Sequence, residues 1–196
     1  MKKIYSLILL LFSVNQFAQK KIIKKAEEYI KKKYKRSYHE VLYVSTAQQK
    51  MYHIKEKKVL KTYVISSASA GLGNKSGSNK TPLGLHKVKN KIGDKTPLNG
   101  RMIGRVYYGH IAKIYTDKTK SKTDDVTSRI LWLEGLEKGL NKGKGIDSYK
   151  RYIYIHGTSE EGRLGTPASH GCIRMKNHDV VELYNKVKLG VLVLIQ

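Results

Sequence analysis

The chain has 196 residues, with 39 Lys or Arg against 15 Asp or Glu and a formal net charge of +24, so polyanionic partners such as nucleic acid, anionic lipid or wall polymers are favoured. This length allows one domain with a real core but excludes two full-sized domains. A hydrophobic content of 40% excludes wholesale disorder, and the single cysteine excludes a disulfide framework or a cysteine-based zinc cluster.

The first 18 residues have the architecture of a secretory signal peptide. Lys2 and Lys3 form a short positive region, residues 4–14 form an apolar run, and the small residue Ala18 follows. The run is shorter than the roughly 20 residues that a membrane-spanning helix needs. We therefore predict an exported protein whose signal peptide comprises residues 1–18. The alternative is a buried N-terminal strand or helix.

Residues 19–40 are predicted to form a basic helical lead-in. Apolar residues recur there at helical spacing, and the Glu27–Lys31 and Glu28–Lys32 pairs favour a helix. The stretch 20–36 contains nine basic and two acidic residues, a net charge of +7. Two interpretations stay open: the helix rests on an anionic membrane surface or wall polymer, or it is a solvated helix leading into the domain.

From Val41 onwards the apolar period changes from helical spacing to two. Loops are predicted where Gly, Ser and Asn cluster, over 66–80 and 141–145. Helices are predicted over 127–138, which holds Trp132, and over 177–188. Strands are predicted over 41–46, 50–54, 59–66, 85–88, 103–115, 151–156 and 191–195. The pattern predicts one mainly β domain over residues 41–196, a sandwich or barrel with one or two short helices.

The candidate catalytic residues are Cys172 and His156. A free thiol with a pKa near ~8.5 is only a few per cent thiolate at neutral pH, so a nucleophilic cysteine needs a base or a positive neighbour. A histidine at a strand end and a cysteine across a loop meet that need, and Gly157 and Gly171 leave room for the backbone to approach a substrate. The alternatives are an inert thiol, a core histidine, or a zinc site that adds His170 to this pair.

Around these residues the sequence resembles the L,D-transpeptidases of bacterial cell-wall synthesis. The resemblance rests on Ile155-His156-Gly157, on Ser169-His170-Gly171-Cys172-Ile173-Arg174-Met175, and on Thr81-Pro82-Leu83-Gly84 further upstream. It covers about residues 41–195. Two features depart from the family pattern: the loop between the first two motifs looks shorter than in many members, and Arg174 stands where some members have Asn.

The resemblance implies an L,D-transpeptidase-like fold and a role for each motif residue. Cys172 is the nucleophile, and His156 is the base, oriented by the backbone carbonyl of Gly157. His170 shapes or polarises the site, and the amides around Gly171 stabilise the oxyanion.

Two further residues of the motif are implied to contact the substrate. The planar fork of Arg174 is suited to hold a substrate carboxylate, and Ser169 opens the same segment. A structural ion pair is the alternative for Arg174, and a structural hydrogen bond is the alternative for His170.

The resemblance also implies a function in the periplasm or cell envelope. Cys172 forms a thioester with a peptidoglycan tetrapeptide stem and releases D-alanine, and an amine acceptor then takes the acyl group. No metal or cofactor is needed, and no nucleic acid is expected as a partner. Two alternatives remain open: an L,D-carboxypeptidase of the same fold that uses water as the acceptor, and a non-catalytic basic wall-binding protein.

Overall fold

The structure is a computed structural model that describes residues 19–34 and 38–196. The predicted signal peptide lies outside the described residues. Residues 19–34 form helix α1, and Asn177–Lys186 form helix α2. None of the helices in the described part of the chain is both long and apolar enough to span a membrane.

Ten strands of the described residues form one sheet that closes on itself. Their order is β4-β10-β1-β2-β3-β9-β8-β7, and pairing of β7 with β4 completes a ring of eight strands. The remaining two, β5 and β6, form a hairpin that extends from β7. The strands are β1 (Glu40–Ser45), β2 (Lys50–Lys55), β3 (Lys58–Ser66), β4 (Gly84–Ile92), β5 (Gly100–Ile103), β6 (Val106–Ile111), β7 (Val126–Gly135), β8 (Tyr154–Thr158), β9 (Ile173–Met175) and β10 (Leu192–Ile195). The predicted mainly β fold is confirmed, and the closed ring makes it a barrel.

Strand β1 is buried on both faces of the sheet. Leu42 and Val44 join the main core, to which α2 contributes, whereas Val41 and Tyr43 join a second core beneath α1. Successive side chains of a strand point to opposite faces, so each face needs its own cover. Helix α1 provides one of these covers, with Ile30 fully buried. The apolar face of α1 is thus occupied by the domain itself.

The predicted helix over 127–138 is wrong, because residues 127–135 of this segment lie in strand β7. Its short apolar run around Trp132 fits either a helix or a strand by spacing alone. The sheet decides the outcome: β7 is hydrogen-bonded to β8 on one side and to β4 on the other. Such pairing outweighs local propensity. The three strands β1 to β3, helix α2 and the closing strand β10 agree with the predictions to within about two residues.

Two other predicted strands differ from the observed ones because of residues with positive φ. The segment 103–115 was predicted as one strand, but Gly104 and Arg105 have φ of 56° and 72° and form a turn between β5 and β6. The segment 151–156 was predicted as a core strand from its start. Strand β8 begins only at Tyr154, because Tyr152 has a φ of 57°.

Candidate active site

The pairing of β8 with β9 brings the two predicted catalytic residues to one place. These strands are parallel neighbours in which His156 lies opposite Arg174. Cys172 immediately precedes β9 and therefore lies beside Tyr154. Because side chains alternate along extended strands, Cys172 and His156 project from the same face of the sheet. The loop that connects the two strands spans residues 159–172.

The Cys172 thiol is held by the backbone of the segment that leads into β8. The Tyr154 amide donates to Sγ at 3.3 Å, and the thiol donates to the Tyr152 carbonyl at 3.4 Å. The residue is partly exposed, but the sulfur itself is buried, and this burial raises the pKa of the thiol to about 11. The hydrogen bond from the Tyr154 amide and the positive charges of Arg174 and Arg151 lower that pKa by less than burial raises it. The thiol is therefore protonated at neutral pH.

The imidazole of His156 is buried and neutral. Its Nδ1 atom lies 2.7 Å from the Gly157 carbonyl, which can only accept, so Nδ1 carries the proton and Nε2 keeps its lone pair. Burial lowers the pKa of His156 to about 4, although the Gly157 carbonyl and the Asp124 charge oppose this shift. A neutral imidazole with a defined tautomer is suited to accept a proton at its free Nε2 atom.

Position 157 has no room for a side chain. A Cβ atom at this position would lie 2.5 Å from Asn177 Oδ1 and 2.8 Å from the Thr127 carbonyl. Asn177, the first residue of α2, accepts hydrogen bonds there from Thr127 and Ser128, at 2.6 Å each, instead of capping its helix. The glycine allows β7, β8 and the start of α2 to approach closely.

The segment before Cys172 is held by a chain of hydrogen bonds. Ser169 is buried; its Oγ donates to the Cys172 carbonyl at 2.6 Å and accepts from the Gly171 amide at 3.2 Å. The Gly171 carbonyl accepts from Thr81 Oγ1 at 3.0 Å, and the Ala68 amide donates to the same hydroxyl at 2.9 Å. Ser169 thus holds the turn and makes its contacts within the protein. Its predicted substrate contact remains untested.

Arg174 is engaged by two carboxylates of the protein itself. The side chain is 2% exposed, and its guanidinium donates to Glu160 at 2.7 Å and to Asp124. Arg174 therefore forms the structural ion pair that the sequence analysis gave as the alternative to substrate binding. These contacts leave little of the planar fork for a substrate. The predicted binding of a substrate carboxylate by Arg174 therefore gains no support from its surroundings.

His170 contacts Asp124 and not the thiol. Its Nδ1 lies 2.5 Å from Asp124 Oδ2, and about half of the side chain is exposed. Burial alone would raise the pKa of Asp124, but the Arg174 charge and the His170 hydrogen bond outweigh it and hold that pKa below its usual range. The ionised Asp124 therefore connects His170, which lies two residues before Cys172, with Arg174 on strand β9.

Sequence reasoning missed Asp124 and Glu160. One signal was present: Asp124-Asp125 is an acidic pair in the lysine-rich stretch 113–125 of a chain with few acids. Glu160 gave no such signal, because its role depends on the folded contact with Arg174.

Arg151 holds the loop 66–80 close to Cys172. Its guanidinium donates to the carbonyls of Gly73 at 3.3 Å, Asn74 at 2.9 Å and Lys80 at 2.7 Å. The predicted loop 66–80 is thereby held against the start of β8. The positive charge also lowers the pKa of the Cys172 thiol, although less than burial raises it.

The zinc alternative has no ligand set in the described part of the chain. No group of three or more His, Cys, Asp or Glu side chains there is placed to hold a metal ion. Cys172 contacts backbone atoms, and His170 turns towards Asp124. The arrangement can support proton transfer from a thiol to an imidazole.

Comparison with known proteins places this geometry in a family context. The model of the L,D-transpeptidase catalytic domain (YkuD) matches residues 39–195 of the chain. YqjB of Bacillus subtilis (strain 168), which bears an L,D-transpeptidase name, is 46% identical over 52 residues, which cover 26% of this chain and 28% of that protein. The chain thus matches just over a quarter of this curated relative.

Solved structures with similar folds are more distant in sequence. An L,D-transpeptidase from Xylanimonas cellulosilytica is 16% identical, with a TM-score of 0.46, over 82% of this chain and 62% of that chain. L,D-transpeptidase 3 from Mycobacterium tuberculosis, in complex with a faropenem-derived adduct, is 17% identical, with a TM-score of 0.48, over 81% of this chain and 60% of that chain.

Proposed function

Because the chain belongs to the family of L,D-transpeptidase catalytic domains, we propose that it is an exported cysteine acyltransferase that acts on peptidoglycan stem peptides. One observation carries the proposal: a protonated thiol and a neutral imidazole of defined tautomer project from the same face of two neighbouring strands. A nucleophile and a base so arranged are what acyl transfer through a thioester requires.

In the first half-reaction, Cys172 attacks the carbonyl of the third residue of a tetrapeptide stem. The thiol proton passes to Nε2 of His156 as the S–C bond forms. The C–N bond to the terminal D-alanine then breaks, and the departing amine takes the proton from the imidazolium. The products are free D-alanine, a thioester on Cys172 and a neutral His156.

In the second half-reaction, an amine of another stem attacks the thioester carbonyl. The amine gives a proton to His156, the C–S bond breaks, and the sulfur regains that proton. The chain's own residues supply every proton transfer in this scheme, and no metal or cofactor takes part. Each tetrahedral intermediate needs a main-chain donor for its oxyanion. The Cys172 amide is the proposed donor, because the Gly171 amide already donates to Ser169.

The proposed domain organisation is a signal peptide over 1–18, a basic helical lead-in over 19–40 and the catalytic domain over 41–196. The charge of the first residues and the apolar run that follows support export to the periplasm or cell envelope. In that compartment a lone cysteine is free for catalysis, since it has no partner in its own chain.

The basic face of α1 is proposed to contact an anionic wall polymer. Its apolar face packs on the domain, which favours a polymer over insertion into a membrane. Of its lysines, Lys24 and Lys33 have carboxylates within 3.8 Å and 3.7 Å. Seven lysines of the helix are exposed: Lys20, Lys21, Lys24, Lys25, Lys31, Lys32 and Lys33. A row of exposed lysines attracts a polyanion without selecting its sequence.

Product analysis with a tetrapeptide stem tests the proposed function. With an amine acceptor present, we expect free D-alanine and a cross-linked product in stoichiometric amounts, and EDTA should not reduce either. D-alanine with a hydrolysed tripeptide and no cross-link would identify the carboxypeptidase instead. Full activity in Cys172→Ala would remove the thioester mechanism, and no turnover by the wild type would favour the wall-binding protein.

A further inference from the structure

The turn of the β5–β6 hairpin presents an arginine near the thiol. Arg105 has a φ of 72°, a left-handed conformation that is uncommon for a residue with a side chain. The hairpin is fixed to the sheet by pairing of Met102 with Val126 on β7. Arg105 is therefore anchored through a paired strand, although it lies in an exposed turn.

Aromatic rings define the position of the Arg105 guanidinium. Its central carbon lies 4.9 Å from the ring centre of Trp132 and 5.3 Å from that of Tyr152. One of its nitrogens lies 3.4 Å from the Tyr154 hydroxyl. Contacts of this kind restrict the rotamers of an arginine while its N–H groups stay available at the ring edges.

The same tyrosines border the nucleophile. The Tyr154 amide and the Tyr152 carbonyl make the two hydrogen bonds to Cys172 Sγ. The guanidinium is thus separated from the thiol by a single tyrosine side chain. The Tyr152 residue is 54% exposed, so part of this aromatic surface is open to a substrate beside the thiol.

Arg105 differs from Arg101, Arg163 and Arg174 in its lack of a carboxylate partner, and from Arg151 in that its guanidinium is not taken up by three backbone carbonyls. Arg101 pairs with Asp125, and Arg163 and Arg174 both contact Glu160. Within the described residues, Arg105 has no Asp or Glu oxygen within 4.0 Å. Its charge and most of its five N–H donors are therefore free for a ligand.

We propose that Arg105 binds a carboxylate of the donor stem, an inference that rests on the proposed function. It would take the role that the sequence analysis assigned to Arg174, whose guanidinium is buried between two carboxylates. A guanidinium matches a carboxylate through two parallel hydrogen bonds. The carboxylate has two possible sources: the terminus of the departing D-alanine, and the side chain of the third residue where that residue carries one.

The test measures thioester formation on Cys172 by intact-protein mass spectrometry with three donors. One donor has all its carboxylates free, one is amidated at the C-terminus, and one is amidated on the third side chain. The proteins are the wild type, Arg105→Gln, Arg105→Lys and a charge-matched control, Lys58→Gln, at an exposed position of β3. The rate of iodoacetamide alkylation reports whether the thiol itself is disturbed.

We expect Arg105→Gln to lower the second-order rate of acylation by about 10–100-fold on the free donor. Alkylation should stay within about twofold of wild type, and Lys58→Gln should behave as wild type. Arg105→Lys should recover part of the loss, since it keeps the charge without the fork. Amidation of the recognised carboxylate should slow the wild type and leave Arg105→Gln nearly unaffected, which identifies the source.

If each amidation lowered the acylation rate of the wild type and of Arg105→Gln by the same factor, the assignment of Arg105 would be overturned. An alkylation rate that falls as far as the acylation rate would overturn it too, because Arg105 would then support the thiol and not the substrate. The failure of the proposed function looks different: the wild type would form no thioester with any of the three donors while its thiol still reacted with iodoacetamide.

Discussion

Asp124 is joined to Arg174 by an ion pair that ties the segment before β7 to the nucleophile strand β9. The same carboxylate accepts from His170, two residues before the nucleophile. Arg174 in turn contacts Glu160, in the loop between β8 and β9. Cys172 therefore lies on a segment that is held by Asp124 on one side and by the buried Arg174–Glu160 pair on the other.

Replacement of Arg174 by lysine should destabilise the protein, because a single ammonium cannot serve both carboxylates. An uncompensated buried charge costs about 3–5 kcal/mol in the free energy of unfolding, measured by urea denaturation. Arg163→Lys is the matched control: it contacts the same Glu160 at 2.7 Å but is partly exposed, so its loss should be about 1 kcal/mol or less.

The Arg174→Lys variant also separates its structural role from substrate binding. We expect its acylation to fall by a similar factor on a free donor and on a donor whose terminal carboxylate is amidated. Loss on the free donor alone, in a variant as stable as wild type, would restore the substrate-binding role predicted from the sequence.

The Cys172 thiol of the free protein should be protonated at neutral pH, so that it reacts only through a small thiolate fraction that grows with pH. Burial raises the pKa of Cys172 to about 11, and burial lowers that of His156 to about 4, so the pair does not form a thiolate and imidazolium at neutral pH. The rate of iodoacetamide alkylation should therefore rise about tenfold per pH unit from about pH 7 to 9. A plateau that is reached near pH 6 or 7 would show a preformed ion pair and contradict this description.

The same neutral pair predicts how the loss of the base behaves. His156→Ala should slow acylation by a tetrapeptide stem by about 10²–10⁴-fold, the usual range for a positioned base. Its alkylation by iodoacetamide should change far less, since the imidazole does not hold the thiol as a thiolate. Equal losses in both reactions would indicate that His156 acts by ionising the thiol in the free enzyme.

Stability should fall in mild acid because of buried neutral histidines. His86 is fully buried between the Gly84 carbonyl, at 3.0 Å, and Ser148 Oγ, at 2.9 Å, and burial lowers its pKa to about 4. In the unfolded chain an imidazole titrates near ~6.5, so below that pH the unfolded state binds a proton that the folded state does not.

His86 alone contributes a loss of about 3 kcal/mol in the free energy of unfolding as the pH falls from about 6.5 to 4, and His156, whose pKa is also lowered to about 4, adds a loss of similar size. Urea denaturation at several pH values measures it. His86→Gln should remove about half of this pH dependence, whereas His110→Gln, at an exposed position of β6, should leave it unchanged. An unchanged slope in His86→Gln would show that this histidine is not one of the groups responsible.

Retention on isolated peptidoglycan should depend on the lysines of α1. Replacement of Lys21, Lys25, Lys31 and Lys32 by Gln should abolish salt-sensitive binding, because screening and charge removal weaken the same attraction. The fold should be unaffected, since these side chains are exposed. The control replaces four exposed lysines of the catalytic domain, Lys75, Lys138, Lys144 and Lys150. Equal losses in both variants would show that the whole basic surface acts without a preferred face.

Cys172 and His156 could be proposed as nucleophile and base from the sequence because their motifs are local. His156 lies within β8 and Cys172 immediately before β9, and each motif carries its own glycine, Gly157 or Gly171. The strand period also predicted β1 to β3 and α2, whose patterns agree with their final packing. For these parts, local preference and tertiary structure point the same way.

The rest of the site depends on pairings that no local pattern encodes. Asp124 reaches Arg174 across 50 residues, and Arg105 reaches Trp132 through the pairing of β5 with β7. The segment around Trp132 was ambiguous between helix and strand until both of its neighbours were known. The two carboxylate partners of Arg174 were likewise not predictable, since Asp124 lies before β7 and Glu160 in the loop between β8 and β9.

Intact-protein mass spectrometry is the decisive test of whether Cys172 forms a thioester with a tetrapeptide stem. Wild-type protein incubated with the stem should gain the mass of the stem less that of D-alanine, with the adduct mapped to Cys172 by digestion. Cys172→Ala should gain nothing under the same conditions. Cys172 would not be the acylated residue if a folded wild type released D-alanine without this adduct, or if Cys172→Ala gained an equal adduct.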